Sequence, residues 1–455
     1  MDSKRDPELG EHLSDATRED AHTRSSWARK KSHLLLTLVL ACFLIAFGNT
    51  RVITARKCSS SPSLEQRVDK ILTETPLIDG HDDLPIFIRE RFQNHIYDDA
   101  FKVPFTKGDL AGHVDLPRLA KGKVGGTFWS VFVQCPADGT DLSDANYATS
   151  VRQTTEQVDV MLRLQQAYPN TFSTPPNGTT ALQAFHEGKI ISPLGMEGLH
   201  SIGNSLAQLR EFHARGVAYA TLTHNCHNRY ADAALVEIPG GIKKADPLWH
   251  GVSEAGKTLV QEMNRLGMIV DLSHVSTDTM RDVLGAGKDE WAGSRAPVIF
   301  SHSSAYAVCP HPRNVPDDIL GLVKTSRSLV MVNFSPDFIS CRASEDPNGL
   351  PHFEPEDATL EHVVDHIMHI AELIGFDHVG LGSDFDGIPT VPRGLEDVSK
   401  YPALIRELLR RGVSDEDAGK VAGGNLLRVW KEVDDVALQM QAGGALPAED
   451  DLPHA

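Results

Sequence analysis

Eight short apolar runs that alternate with helical patterns constrain the fold of this chain more than any other feature. Each run is rich in Val, Ile, Leu or Phe and has the length of a single strand. The first begins at Leu77, and the others span 124–133, 190–196, 217–223, 268–272, 297–300, 329–334 and 378–382. Helices are predicted near 64–73, 147–168, 206–214, 253–266, 277–284, 358–374, 403–411 and 415–433.

This alternation predicts an α/β protein with a parallel sheet. Near-continuous apolar runs are typical of strands that are buried on both faces, as parallel strands are. Eight strand–helix units favour a (β/α)8 TIM barrel. An open doubly wound sheet is the alternative, but no Gly-x-Gly-x-x-Gly follows a strand and opens a helix.

The first run ends in a pair of metal-ligand residue types, His81-x-Asp83. Residues i and i+2 of a strand lie on the same side, so the imidazole and the carboxylate can converge on one cation. His113-x-Asp115 has the same spacing, but it precedes the helical segment 116–119. We therefore interpret Asp115 as a helix cap.

Most of the other runs also end in His, Asp or Glu. In barrel enzymes the active site lies at the C-terminal ends of the strands, where packing alone would select apolar residues. The residues at these ends are Glu197, His224, His274, His302, Asp384 and Asp386. The sequence therefore predicts a metal site at this end of the barrel.

The number of these side chains exceeds what one tetrahedral zinc ion needs. Two ions that share a bridging carboxylate would use the full set. Glu197 is the natural bridge, since Gly195 and Gly198 flank it and let backbone and metals approach.

Two further groups of polar residues have weaker claims to function. His362, His366 and His369 share one face of a helix, but that helix is predicted on the barrel exterior, away from the strand ends. Arg313, in the loop after the sixth run, could hold a substrate carboxylate through two hydrogen bonds or form a surface salt bridge.

The N-terminal residues differ in composition from the rest. Residues 1–31 contain seven acidic and seven basic residues and are predicted to be a disordered cytosolic tail. Residues 32–54 include an uncharged stretch and are predicted to be a transmembrane signal-anchor, which would place the later residues outside the cytosol. A cleaved signal peptide, giving a secreted protein, and a buried helix are the alternatives.

The remaining chain divides into a linker at 55–64, a barrel at 65–435 and a flexible acidic tail at 436–455. The formal charge of −18, without a basic stripe, argues against nucleic-acid binding.

The four cysteines of the barrel are Cys135, Cys226, Cys309 and Cys341, an even set that an oxidising compartment would pair. Asn177 begins a plausible glycosylation motif, whereas Asn333 begins one in an apolar strand.

Eight motifs, in this order, resemble the membrane (renal-type) dipeptidases, zinc peptidases with an amidohydrolase-like, metallo-dependent hydrolase barrel. The matching stretches lie at 78–85, 195–198, 222–226, 270–276, 297–304, 313–318, 382–387 and 424–429. The resemblance implies a dipeptidase that acts on free dipeptides through a metal-bridging hydroxide. Another metal-dependent amidohydrolase, such as an N-acylamino-acid deacylase or a lactamase, and a non-catalytic surface binding module are the alternatives.

The resemblance also implies roles for individual residues. Two zinc ions are expected, one bound by His81 and Asp83 and one by His274 and His302, with Glu197 as bridge. His224 is expected to stabilise the oxyanion. The remaining expectations are Arg313 at the substrate's C-terminal carboxylate, Asp384 at its amine or as a proton shuttle, and disulfides Cys135–Cys226 and Cys309–Cys341. A non-covalent homodimer is also expected.

Overall fold

The computed structural model describes residues 62–288 and 290–450. The predicted cytosolic tail at 1–31, the predicted signal-anchor at 32–54 and most of the linker lie outside these residues. Among the helices of the described residues, none combines the length and the apolarity needed to cross a bilayer.

Eight parallel strands close into a barrel, as predicted. The strands of the structure are β1 (Leu77–Asp82), β2 (Val124–Phe132), β3 (Leu194–Glu197), β4 (Val217–Thr221), β5 (Leu235–Ile238), β6 (Gly241–Lys244), β7 (Ile269–Asp271), β8 (Ile299–Phe300), β9 (Leu329–Val332), β10 (Cys341–Arg342), β11 (His352–Phe353) and β12 (Val379–Leu381). The barrel order is β1-β2-β3-β4-β7-β8-β9-β12, and β12 pairs with β1. This closure excludes the open doubly wound sheet. The other four strands form two antiparallel hairpins, β5–β6 and β10–β11.

Helices follow or precede the barrel strands and cover them. They are α1 (Leu64–Glu74), α2 (Leu84–Phe92), α3 (Asp99–Lys107), α4 (Leu116–Lys121), α5 (Asp144–Ala167), α6 (Ala181–His186), α7 (Leu206–Ala214), α8 (Glu254–Leu266), α9 (Thr277–Val283), α10 (Asp317–Thr325), α11 (Pro336–Ile339), α12 (Leu360–Ile374), α13 (Tyr401–Arg410), α14 (Asp415–Gly419) and α15 (Asn425–Ala442). Side-chain caps begin several of them. Ser253 caps α8, and Asp115 caps α4 by accepting a 2.9 Å hydrogen bond from Arg118 N, as predicted.

The N-terminal end of the barrel is filled by apolar side chains. Phe128 and Tyr219 stack at 5.5 Å between ring centroids, and Trp430 of α15 lies 4.9 Å from Phe128. Asn425, at the start of α15, donates to the carbonyl oxygens of Phe376 and Val379 near the beginning of β12. Because this end is closed by packing, the opposite end is left for polar residues.

The helix predicted at 415–433 is interrupted. A π-helical turn at Lys420–Gly424 separates α14 from α15. Gly423 lies against the start of β1, where a Cβ atom would come within 2.2 Å of the Pro76 carbonyl oxygen. This close approach is a tertiary contact, which the helical periodicity does not reveal.

Part of the segment predicted as a flexible tail at 436–455 has regular structure. Helix α15 continues to Ala442, so residues 436–442 are helical. Farther on, the Asp450 carboxylate accepts hydrogen bonds from the backbone N–H groups of Leu206 and Ala207 at the start of α7. The tail is therefore attached to the barrel through this cap.

Candidate active site

The end of β1 presents His81 and Asp83 to the barrel opening. His81 is fully buried, and its Nε2 lies 3.2 Å from Asp83 Oδ2. Its other nitrogen, Nδ1, is hydrogen-bonded to the Tyr219 hydroxyl at 2.8 Å. Among the described residues, neither His81 Nε2 nor Asp83 Oδ1 has a hydrogen-bond partner. A buried imidazole and a buried carboxylate that lie side by side, each with an atom that no hydrogen bond satisfies, fit a cation site.

His274 and His302 direct their Nε2 atoms toward each other. Ser301 donates its hydroxyl proton to Asp271 at 2.6 Å, so its oxygen accepts from His302 Nδ1 at 2.8 Å. His274 Nδ1 bonds Asn225 Oδ1 at 3.1 Å. Both Nε2 atoms are therefore left with lone pairs, yet they lie 3.0 Å apart. A cation that both lone pairs bind removes this conflict.

Glu197 connects the two pairs. Its Oε1 lies 3.0 Å from His274 Nε2 and 3.4 Å from His302 Nε2. Its Oε2 lies 3.7 Å from His81 Nε2. One carboxylate thus directs a different oxygen toward each pair, so the donor set fits two metal ions that share Glu197.

Protonation in the metal-free protein agrees with this arrangement. Burial lowers the pKa values of His274 and His302 well below the ordinary value, so both are neutral donors. Burial also acts to lower the pKa of His81, but the carboxylates of Asp83 and Glu197 outweigh it and raise this pKa to about 10. A proton at His81 partly balances the carboxylates when no metal is bound.

Two of the candidate site residues at strand ends have a strained backbone. His274 and Asp384 are non-glycine residues with φ angles of 66° and 67°, in the left-handed region. Each such residue costs on the order of 1 kcal/mol or more, and such strain clusters at functional sites. Hydrogen bonds hold both: Ala234 N donates to His274 O at 2.7 Å, and Asp384 N donates to His81 O at 3.0 Å.

His224, at the end of β4, lies beside the cluster. Its ring is 4.3 Å from the His274 ring and 4.7 Å from Phe132, between centroids. Burial lowers its pKa well below the ordinary value. His224 is therefore a neutral imidazole, and one of its nitrogens can donate a hydrogen bond to a substrate oxygen.

Arg313 is buried rather than at the surface, with only 1% of its area exposed. Burial lowers its pKa to about 10, so it remains a cation at neutral pH. Its Nη1 donates weakly to Ser303 Oγ at 3.4 Å, while Nε and Nη2 have no partner among the described residues. This excludes the surface salt bridge considered above. A buried guanidinium with free donors is suited to an anion such as a carboxylate.

Asp384 completes the set. Its Oδ2 accepts a 2.9 Å hydrogen bond from Asn333 Nδ2, and a carboxylate oxygen lies within 4.8 Å of nitrogen atoms of His81 and His302. Burial raises its pKa to about 7. Asp386 points away and accepts a 2.6 Å hydrogen bond from the backbone N–H of His113.

Comparison with known proteins decides the family. Residues 65–444 match the family model of the membrane dipeptidases, peptidase family M19. The chain belongs to the membrane dipeptidase family. It is 46% identical over 376 residues to dipeptidase tcpJ of Claviceps purpurea, covering 82% of this chain and 81% of that protein. It is 43% identical over 440 residues to dipeptidase aclJ of Aspergillus oryzae, covering 95% of both.

A solved structure of a metallo peptidase is also similar to this chain. The metallo peptidase of Rhodobacter sphaeroides, liganded with a phosphinate mimic of the dipeptide L-Ala-D-Ala, has a TM-score of 0.64 and 26% identity and covers 79% of this chain and 99% of its own. The protein is thus a metal-dependent dipeptidase, a hydrolase of peptide bonds. The deacylase, lactamase and binding-module alternatives are not favoured.

Two disulfides within the described part of the dipeptidase join the predicted cysteines. Cys135 and Cys226 link the loops after β2 and β4, and Cys309 and Cys341 link the loop of Arg313 to β10. Cys135 Sγ lies 3.9 Å from His224 Nδ1. The disulfides therefore fasten loops that carry site residues.

Two buried aspartates of the dipeptidase were missed by the sequence analysis. Asp271 accepts hydrogen bonds from Ser301 N and the hydroxyls of Ser301 and Thr221. Asp79 accepts in the same way from Ser383 N, Ser383 Oγ and the Tyr401 hydroxyl. A signal was present, because each Asp precedes a predicted ligand histidine by two or three residues.

The structure also shows what surrounds two glycines and three histidines that the sequence analysis considered. Gly195 makes room for Tyr219 rather than for metals, since a Cβ atom would lie 2.1 Å from Tyr219 Cζ. Gly198 has φ 89°, which permits the turn after β3. Each histidine on α12 has a hydrogen-bond partner away from the candidate active site. The pairs are His362 with Thr359, His366 with Ala305 and Ile339, and His369 with Asp317.

Proposed function

We propose that this dipeptidase hydrolyses free dipeptides with two zinc ions held at the ends of β1, β3, β7 and β8. His81 and Asp83 would hold one ion, His274 and His302 the other, and Glu197 both. The observation that carries this proposal is the placement of the two Glu197 oxygens toward different imidazoles, at 3.0 Å and 3.7 Å. When bound, such ions lower the pKa of a water molecule and polarise a carbonyl group.

The residues around the ions would perform the rest of the reaction. His224, a neutral donor, would hydrogen-bond the carbonyl oxygen of the scissile bond and stabilise the charge that develops there. Asp384 would accept a proton at its carboxylate and return it to the leaving amine, or hold the substrate's ammonium group. Its raised pKa, about 7, supports a proton-carrying role.

Recognition of both termini would restrict the substrate to two residues. Arg313, with Nε and Nη2 free, supports binding of the C-terminal carboxylate. The buried carboxylate of Asp384 supports binding of the ammonium group. The dipeptide mimic bound by the Rhodobacter sphaeroides relative is consistent with this substrate class.

The test combines metal analysis with a small substrate panel. Full-length protein should contain two zinc ions per chain by mass spectrometry, and a chelator should abolish the hydrolysis of free dipeptides. N-acetylated dipeptides should not be cleaved, and their cleavage at an equal rate would favour a deacylase. Arg313→Leu should raise KM at least tenfold for free dipeptides and little for C-amidated ones. Equal effects on both would refute the carboxylate role.

The location of the protein and its assembly belong to the same proposal. A signal-anchor at 32–54, with the barrel outside the cytosol, is supported by the charge pattern and by two disulfides in the barrel. Asn177 is exposed and available for a glycan, whereas Asn333 is fully buried. Glycosidase treatment of the cellular protein, with and without Asn177→Gln, tests this orientation. Sedimentation analysis tests the homodimer.

A further inference from the structure

A cavity of about 570 Å³ borders the active site on the side of β2 and β4. Its walls come from the loops after these strands and from the β5–β6 hairpin. Two of its lining residues also touch the site. Cys135 Sγ lies 3.9 Å from His224 Nδ1, and Asn225 Oδ1 bonds His274 Nδ1 at 3.1 Å. The cavity and the catalytic centre therefore share a wall.

Glu237 of β5 brings a carboxylate to this wall. A carboxylate oxygen of Glu237, a ring nitrogen of His224 and Cys135 Sγ all lie within 4.8 Å of one another. The backbone fixes Glu237, whose N–H donates to Asn225 O at 3.1 Å. Within 62–288 and 290–450, its carboxylate has no hydrogen bond or ion pair. Glu237 is an exposed residue, and partial desolvation of its carboxyl raises its pKa.

The other ionisable groups that line the cavity have partners: His227 Nδ1 lies 3.2 Å from Asp232 Oδ1, and Lys243 and Asp246 pair with each other. Lys243 Nζ forms a 2.9 Å ion pair with Asp246 Oδ2. Val236, Ile238 and Pro136 contribute apolar surface. A cavity with this apolar surface and one unpaired carboxylate fits a long aliphatic stem with a cationic tip, the chemistry of lysine and arginine side chains.

The orientation of the dipeptide determines which side chain enters. This step rests on the proposed function, in which Arg313 and Asp384 bind the termini and His224 contacts the scissile carbonyl. That carbonyl belongs to the N-terminal residue, so the side chain of this residue lies nearest His224 and Glu237. We infer that the cavity binds the side chain of the substrate's N-terminal residue and that Glu237 makes it selective for lysine or arginine.

The experiment compares Lys-Ala, norleucyl-Ala and Glu-Ala with the metal-loaded full-length enzyme. Wild type should have the highest kcat/KM for Lys-Ala and the lowest for Glu-Ala. Glu237→Gln should lower kcat/KM about fivefold for Lys-Ala, leave norleucyl-Ala unchanged and raise Glu-Ala. Glu237→Lys should reverse the order. Glu372→Gln, on the exterior helix α12, removes the same charge far from the cavity and should change none of the three.

The outcomes separate this inference from the proposed function. If wild type cleaves norleucyl-Ala and Glu237→Gln slows all three substrates by the same factor, Glu237 acts on His224 and the selectivity is refuted. If Ala-Lys responds to Glu237→Gln and Lys-Ala does not, the assignment to the N-terminal residue is refuted. If wild type cleaves none of the dipeptides, it is the proposed function that fails.

Discussion

At the scale of single residues, the ring orientations of His81, His274 and His302 are each set by a hydrogen bond at Nδ1. Asp271 acts on the His302 ring through Ser301: it accepts hydrogen bonds from Thr221, Ser273 and Ser301, and Ser301 in turn accepts from His302. Such outer partners typically account for 10- to 100-fold in metal affinity. A carboxylate at this position therefore matters for metal binding as much as for packing.

Asp271→Asn should weaken the metal site of His274 and His302 by roughly 10- to 100-fold. The amide can donate to Ser301, so Ser301 no longer has to accept from His302, and the imidazole loses its fixed orientation. Competition with a fluorescent zinc chelator, fitted to two affinities, measures the change. Asp79→Asn is the matched control because Asp79 contacts the backbone N–H of His81 and not its ring. An equal loss at both sites in Asp271→Asn would contradict this argument.

A second residue-scale prediction concerns Gly195, which leaves room for the Tyr219 ring that contacts His81. Gly195→Ala would place a Cβ atom 2.1 Å from Tyr219 Cζ, so the ring that orients His81 Nδ1 must move. We expect a loss of about 1–3 kcal/mol in the free energy of unfolding and weaker zinc binding. Denaturant unfolding and metal analysis measure the two effects. Tyr219→Phe should weaken zinc binding while costing less stability.

Gly321→Ala provides the matched control for this substitution. Gly321 lies in α10, and among the described residues no atom beyond its own stretch of helix would lie within 4 Å of a Cβ atom at this position. Its replacement should leave metal content unchanged and raise stability slightly, since alanine favours a helix by up to about 1 kcal/mol over glycine. If Gly195→Ala behaves like Gly321→Ala, the proposed contact with Tyr219 is wrong.

At the scale of elements, the connection between β4 and α8 depends on one buried carboxylate. Asp232 accepts hydrogen bonds from the backbone N–H groups of Leu248, Trp249 and Gly251 at 3.0–3.1 Å, and His227 Nδ1 lies 3.2 Å away. Burial opposes its ionisation, but the hydrogen bonds outweigh burial and lower its pKa. The same connection carries the β5–β6 hairpin beside the active site.

The stability of this connection should depend on pH in the acid range. Because the folded-state pKa of Asp232 is depressed, its contribution is complete above the ordinary carboxyl pKa, about 4, and is lost as the pH falls through the folded value. Hydrogen exchange of a peptide that covers 245–252, compared at pH 6 and pH 3.5 and corrected for intrinsic rates, should show faster opening at low pH. In Asp232→Asn, opening should be fast at both pH values. Unchanged exchange in the variant would contradict the role of Asp232.

At the scale of the whole molecule, the barrel was predictable because strands buried on both faces must be apolar. The position of the candidate site was predictable because the active sites of barrel enzymes lie at the C-terminal ends of the strands. The disulfide pairing came from the family resemblance. The β5–β6 hairpin was missed because its two strands of four residues are short and half exposed. The burial of Arg313 and the interruption at Gly423 depend on contacts between distant segments, which no local pattern encodes.

The whole molecule should also report metal binding as thermal stability. Without metal, two Nε2 lone pairs face each other at 3.0 Å, and only a proton at His81 partly balances the buried carboxylates. A ligand that binds only the folded state stabilises it by about 4 kcal/mol at a thousandfold excess over Kd. We expect chelated protein to melt roughly 5–10 °C below zinc-loaded protein, with full recovery when zinc is added back. Differential scanning calorimetry measures this shift.

His274→Ala identifies the source of that shift. Removing one of the two opposed imidazoles takes away a ligand and relieves the conflict between lone pairs, so the metal-free variant should melt close to metal-free wild type. Zinc should then raise its melting temperature by no more than about half the wild-type shift, since one site remains. Activity should be lost although the barrel stays folded. A variant that keeps the full shift or its activity would show that His274 does not hold a metal ion, and the two-ion arrangement would have to be abandoned.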